Sequence, residues 1–174
     1  MNKILAAFAK DLRHIAPAGS RPFVCDGSPF ECEAFIVGQE VATMGLDFWR
    51  FWSDERGFDR DAFLAEYRAE RQQRGKRDSI SQTRKVVHYV IESAYPVKCL
   101  TTNADDLRVL KFLLESIRPK VVLAHGKYAQ RAISMLEYQG KVIQSKHFSR
   151  GVSFKNPPFE AQRLGREIAA AVEI

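Results

Sequence analysis

Residues 34–40 have the sequence Ala-Phe-Ile-Val-Gly-Gln-Glu, an apolar run that ends in a glycine and two polar side chains. Such a run predicts a short buried strand of a parallel sheet, because strands of that kind are covered on both faces. Open parallel sheets bind their ligands at the carboxyl ends of the strands. The turn Gly38-Gln39-Glu40 is therefore predicted to lie where a site would form, with Glu40 as its carboxylate.

A second polar turn, His147-Phe148-Ser149-Arg150, follows the short apolar stretch Val142-Ile143. This turn is predicted to bring a histidine to the same edge of the sheet as Glu40. Its surroundings, residues 141–155, contain four basic side chains and no acidic one, a composition typical of phosphate-binding surfaces. A carboxylate and a histidine at one edge would form an active site, although two ordinary loops are the alternative.

Apolar periodicity along the remaining chain predicts strands that alternate with helices. Strands are expected over 33–38, 97–101, 119–124 and 141–144, and helices over 1–15, 79–91, 105–117, 127–138 and 159–172. This alternation predicts a single α/β domain over 1–174, a three-layer α/β/α sandwich with a mainly parallel central sheet. The strongly charged region 54–78 is a possible insertion or lid.

The composition predicts a globular protein of the cytoplasm. The chain has 174 residues, 45% of them hydrophobic, and no apolar stretch approaches the roughly 20 residues that span a bilayer. Its N-terminal helix is amphipathic and differs from a signal peptide. Three widely spaced cysteines favour a reducing compartment over a disulfide framework. The net charge of +6 permits a polyanionic partner but does not require one.

Bulky aromatic side chains are concentrated just beyond the first polar turn, as Phe48, Trp49, Phe51 and Trp52. Core packing is the simplest role for this group. Four adjacent bulky residues at helical spacing cannot all face inward, however. At least one is therefore predicted to line a pocket or contact a partner.

Four segments together resemble motifs of the uracil-DNA glycosylase superfamily. Residues 35–42 are similar to its first motif, 120–129 to a later strand, glycine and helix, and 146–150 to its last motif. Residues 96–103 are similar to the Val-Lys-Cys segment of the iron–sulfur branch. The resemblance covers roughly residues 22–155, and the order of the motifs contributes more to it than any single motif.

The resemblance implies a uracil-DNA glycosylase-like fold and a monomer that acts on DNA. Such enzymes extrude a deaminated or mismatched base, uracil first of all, and hydrolyse its N-glycosidic bond. Glu40 would assist the sugar cation and the water, and His147 would stabilise the departing base. The implied base pocket contains Gly38, Gln39 and Asn103, with Tyr95 as the alternative to Asn103 at its position. Phe48 or Trp49 would stack on the base. Lys146, Ser149 and Arg150 would contact the DNA backbone.

Several departures from the family pattern are present. Val41 replaces the expected proline of the first motif, and Phe148 and Arg150 replace both prolines of the last. Three cysteines cannot supply the four thiolates of an iron–sulfur cluster, so no metal and no cofactor are predicted. An inactive relative that binds a nucleotide, nucleic acid or protein partner is the alternative function. A third possibility is a small-molecule hydrolase on a flavodoxin-like sheet.

Overall fold

The computed structural model describes residues 2–39, 45–77, 80–149 and 159–173. The helices are α1 Lys3–Ile15, α2 Arg60–Gln73, α3 Gln82–Ala94, α4 Leu107–Ile117, α5 Lys127–Met135 and α6 Phe159–Val172. The strands are β1 Ala34–Gly38, β2 Trp52–Ser53, β3 Gly57–Phe58, β4 Cys99–Asn103, β5 Val121–His125 and β6 Lys141–Ser145. No helix in these ranges is long and apolar enough to cross a membrane.

The central sheet has four strands in the order β4-β1-β5-β6, and all three neighbouring pairs are parallel. Gly38 is in register with Asn103, and His125 is in register with Ser145, so the strands end at one common edge. Strands β2 and β3 form a separate antiparallel pair. The predicted α/β class with a mainly parallel sheet is confirmed.

Helices cover both faces of the sheet because neighbouring side chains of a strand point to opposite sides. Phe35 and Val37 of β1 pack in one core with α1, α4 and α5. Ala34 and Ile36 pack in the other with α3 and α6. Every residue of β1 and β5 is buried, as expected for central strands. This arrangement is compatible with a three-layer sandwich.

The charged region 54–78 contains α2, whose apolar side packs on the domain. Phe63 and Tyr67 of this helix are buried in the same core as Phe35. Arg21 lies over the Phe63 ring at 5.0 Å from its centroid. Helix α2 is thereby held against the part of the molecule where the strands end.

The two helices on one face, α3 and α6, meet at Gly165. A Cβ atom at this position would lie 2.6 Å from the Cβ of Ser93 and would also clash with the carbonyl oxygen of Val90. Glycine inside a helix normally costs about 1 kcal/mol relative to alanine. Its presence here is explained by the close approach of the helix backbones.

We expect Gly165→Ala to destabilise the protein by about 1–3 kcal/mol, because the free-energy cost of overpacking exceeds the gain from the higher helix propensity of alanine. Urea unfolding followed by circular dichroism measures the change. The exposed Ala170 of the same helix calibrates propensity alone, and Ala170→Gly should cost about 1 kcal/mol. A Gly165→Ala protein more stable than the wild type would contradict this packing.

Candidate active site at the carboxyl ends of the strands

Four polar side chains gather where the strands of the central sheet end. Gln39 follows β1, Asn103 ends β4, His125 ends β5, and His147 lies two residues beyond β6. All four line one cavity of about 220 Å³. Strand β1 lies between β4 and β5, and the polar groups therefore surround its end, where open α/β sheets place ligands.

Gly38 makes the close packing of this edge possible. A Cβ atom on Gly38 would lie 2.7 Å from Nε2 of His125 and 3.1 Å from Oδ1 of Asn103. Both distances are shorter than ordinary van der Waals contact. The absence of a side chain at Gly38 therefore lets the imidazole and the amide approach each other across the end of β1.

The His125 ring is held rigidly and is neutral. It is 4% exposed and stacks on the Phe148 ring, with centroids 3.9 Å apart and planes inclined by 2°. The backbone N–H of Phe148 donates to His125 Nδ1 at 3.3 Å, which assigns the proton of the neutral ring to Nε2. Burial, followed by repulsion from His147, lowers the pKa of His125 to about 3. His125 is thus a neutral N–H donor beside Asn103.

The His147 ring lies next to His125, with ring centroids 5.0 Å apart. The backbone N–H of Ser149 donates to His147 Nδ1 at 3.2 Å, and Ser149 Oγ lies 2.7 Å from the same nitrogen. In the neutral ring this bonding assigns the proton to Nε2. The cavity is therefore bordered by two imidazoles whose Nε2 atoms are donors.

A cationic wall completes the cavity. Arg21 and Arg84 line it together with Tyr67, Ser81 and Thr83. Burial, followed by repulsion from Arg84, lowers the pKa of Arg21 to about 10. Burial also lowers the pKa of Arg84. The cavity thus combines two guanidinium groups with two imidazoles and two side-chain amides.

The structure brings together three of the predicted site residues, Gln39, Asn103 and His147, with Gly38 at their centre. Lys146 and Ser149 are exposed beside His147. Glu40 and Arg150 lie outside the described residues. Tyr95, the rival of Asn103, is 83% exposed and does not line the cavity.

Phe48 and Trp49, the residues predicted to stack on the base, lie outside this cavity. Phe48 is 1% exposed and stacks on Phe58 at 5.0 Å within the aromatic core. Trp49 packs against Phe48 and carries the Arg13 guanidinium 4.0 Å above its ring. Phe48 is part of the core, Trp49 is half-buried against it, and neither residue lines this cavity. Its aromatic lining comes from Phe23 and Tyr67 instead.

The sequence motifs did not include Arg21, Arg84 or Tyr67. Their participation depends on how the segment before β1 and helices α2 and α3 meet, and no local pattern signals that contact. For His125 a signal exists, since His125-Gly126 follows the apolar run 121–124 as Gly38-Gln39 follows 34–37.

Metal binding is not indicated within the described ranges, where no group of three or more His, Cys, Asp or Glu side chains is placed to hold an ion. The three cysteines are free and buried. No protein-family model matches the chain, and no curated protein matches it. The fold and the cavity define an α/β protein with a polar, cationic site at the strand ends.

Proposed function

We propose that this protein is a uracil-DNA glycosylase-like enzyme, a monomer that hydrolyses the N-glycosidic bond of a deaminated base in DNA. Uracil is the expected base. The observation that carries the proposal is the convergence of Gln39, Asn103 and His147 on one cavity. These residues come from three separate segments, which together and in their order along the chain resemble motifs of that superfamily.

The chemistry requires that opposite charges be stabilised on the two fragments. When the bond between the base and C1′ breaks, its electrons pass to the base and a cation develops on the sugar. Donors that face the base carbonyl stabilise the anion, and His147 and His125 both hold an Nε2 proton in their neutral forms. A water molecule then adds to C1′ and loses its proton.

The acidic partner in this proposal is Glu40, the residue that follows Gln39 in the sequence. As a carboxylate it would stabilise the sugar cation and accept the proton of the water. The amides of Gln39 and Asn103 would hydrogen-bond the polar edge of the base. Because amides both donate and accept, they suit a base edge with alternating carbonyl and N–H groups.

Single-turnover base release from oligonucleotides that contain uracil, hypoxanthine, xanthine or mismatched thymine tests this function. We expect release of uracil by the wild type and a roughly 10- to 100-fold slower rate for Asn103→Ala, which loses one or two hydrogen bonds to the base. Gln139→Ala is the matched control, because this exposed amide precedes β6 at the opposite edge of the sheet. Equal rates for Asn103→Ala and wild type would exclude Asn103 from base recognition.

The alternative is a protein that binds a nucleotide, a nucleic acid or a protein partner without cleaving it. Arg21 and Arg84 support binding without cleavage as much as they support the glycosylase function, because they supply charge for binding and no group for hydrolysis. Failure of a folded wild-type protein to release any of the four bases would favour the alternative.

A further inference from the structure

Arg21 and Arg84 form an unusual pair, because the two guanidinium groups share one cavity and pair with no acidic side chain among the described residues. Their contacts are with aromatic rings, Arg21 with Phe63 and Arg84 with Tyr67, whose centroid lies 5.9 Å from the Arg84 guanidinium carbon. Within the described residues, neither side chain makes an ion pair or a hydrogen bond. Arg21 and Arg84 are both half-buried, and both line the cavity.

One acidic group near the pair, Glu70, is bound to another arginine through one oxygen, and its other oxygen, Oε2, is buried without a hydrogen-bond partner among the described residues. Glu70 is the carboxylate whose charge favours protonated Arg21, but its Oε1 atom is bound to Arg74 at 2.7 Å. Additional positive charge comes from Arg60, which lies near enough to disfavour the charged form of Arg84 and is itself 3.7 Å from Asp26. Buried arginines normally pair with a carboxylate. A pair of arginines without a carboxylate partner is typical of a site in which the ligand supplies the anion.

The groups around the two arginines suit an anion with several oxygens. Ser81 caps α3, and Ser81 and Thr83 line the cavity where this helix of 13 residues begins. The positive end of the helix dipole therefore faces the same space. The Tyr67 hydroxyl accepts the N–H of Ser81 at 3.2 Å and keeps its own proton for donation. Guanidinium groups, hydroxyls and a helix N-terminus are the usual ligands of phosphate.

We propose that Arg21 and Arg84 bind a phosphate group of the molecule that occupies the cavity. Asn103 and His125, which line the same cavity, suit a planar polar group, so the complete ligand is a nucleotide. The nucleotide assignment rests on the proposed function, whereas the phosphate site rests on the two arginines and on the hydroxyls and helix N-terminus beside them. The phosphate belongs either to a free nucleoside monophosphate or to a nucleotide within a DNA strand.

Isothermal titration of the full chain with inorganic phosphate, at constant ionic strength, tests the site. We expect one phosphate per wild-type chain and at least a tenfold weaker affinity for Arg84→Met and for Arg21→Met. Arg131→Gln should bind as the wild type does, because Arg131 is exposed on α5, on the opposite face of the sheet from α3. Unchanged affinity in both methionine variants, or no binding by the folded wild type, would overturn the proposal.

Arg84→Lys separates loss of the site from loss of the fold. Lysine keeps the positive charge but lacks the planar fork, and an affinity between those of wild type and Arg84→Met is expected. Circular dichroism confirms that each variant is folded before titration. If the Arg84→Lys and Arg84→Met proteins are both folded and both bind phosphate like the wild type, Arg84 does not bind the phosphate.

Competition identifies the source of the phosphate. If deoxyuridine monophosphate displaces inorganic phosphate more strongly than a uracil-containing oligonucleotide does, the phosphate belongs to a free nucleotide. If the oligonucleotide displaces it more strongly, the phosphate belongs to a DNA strand. Either order supports the phosphate site. Phosphate binding without base release would contradict the enzymatic proposal and leave the phosphate site standing, so the two failures are distinguishable.

Discussion

Replacement of His147 by alanine is expected to slow single-turnover uracil release by about 10²–10³-fold. A single donor that faces developing negative charge typically lowers the activation barrier by about 3–4 kcal/mol. A hydrogen bond that is equally strong in the ground state lowers the barrier far less. His147 has the required arrangement, since Ser149 donates to Nδ1 and the neutral ring then carries its proton on Nε2. Substrate affinity should change far less than the rate of bond cleavage.

The matched control for this prediction is His14→Ala. His14 is exposed on α1, where its Nδ1 lies 2.8 Å from the carbonyl oxygen of Lys10. This variant should release uracil at the wild-type rate. A His147→Ala protein that binds the oligonucleotide normally and releases uracil as fast as the wild type would exclude His147 from the leaving-group role.

Acidification is expected to destabilise the protein strongly through His125. The pKa of this ring is lowered to about 3 in the folded state, first by burial and then by His147, from 6.5 for an ordinary histidine. Below pH 6.5 the unfolded chain therefore binds a proton that the folded chain does not. The free energy of unfolding should fall progressively between pH 6.5 and 3, by about 4–5 kcal/mol in total at 1.36 kcal/mol for each pKa unit.

Urea unfolding at a series of pH values between 7 and 4 measures this effect. His125→Asn removes the titrating ring, and its stability should decrease less steeply with falling pH than that of the wild type. A residual slope is expected, because burial and nearby arginines also lower the pKa of His88, to about 4. His14→Ala should retain the full wild-type slope. A His125→Asn protein with the wild-type slope would show that His125 titrates normally.

The strands of the central sheet were predictable because their signals are local. Each contains a short apolar stretch and ends in a polar residue or glycine, and the observed bounds differ from the expected ones by at most two residues. Helix α4 likewise begins after Asp106, whose side chain accepts the N–H groups of Arg108 and Val109. Helix α5 ends at Met135 rather than 138. Glu137 adopts a left-handed conformation that is incompatible with a continuing helix.

Other features depend on contacts between distant segments and could not be predicted. Phe48 and Phe51 face inward from a short 3₁₀ helix, which gives the aromatic group a direction that helical spacing alone does not specify. Phe148, expected only to disrupt the last motif, is fully buried and supports His125. Arg21 and Arg84 are far apart in the sequence, so only the folded chain shows that they share a cavity.

Binding of a nucleotide in the cavity at the strand ends should be visible directly in the ring protons of the histidines that line it. In a ¹H–¹³C correlation spectrum titrated with deoxyuridine monophosphate, the signals of His125 and His147 should shift with a common saturable affinity. The signal of His14 should stay unchanged, since this residue lies outside the cavity. If the His125 and His147 signals of the folded protein do not move at a saturating concentration of the nucleotide, the cavity is not a nucleotide site.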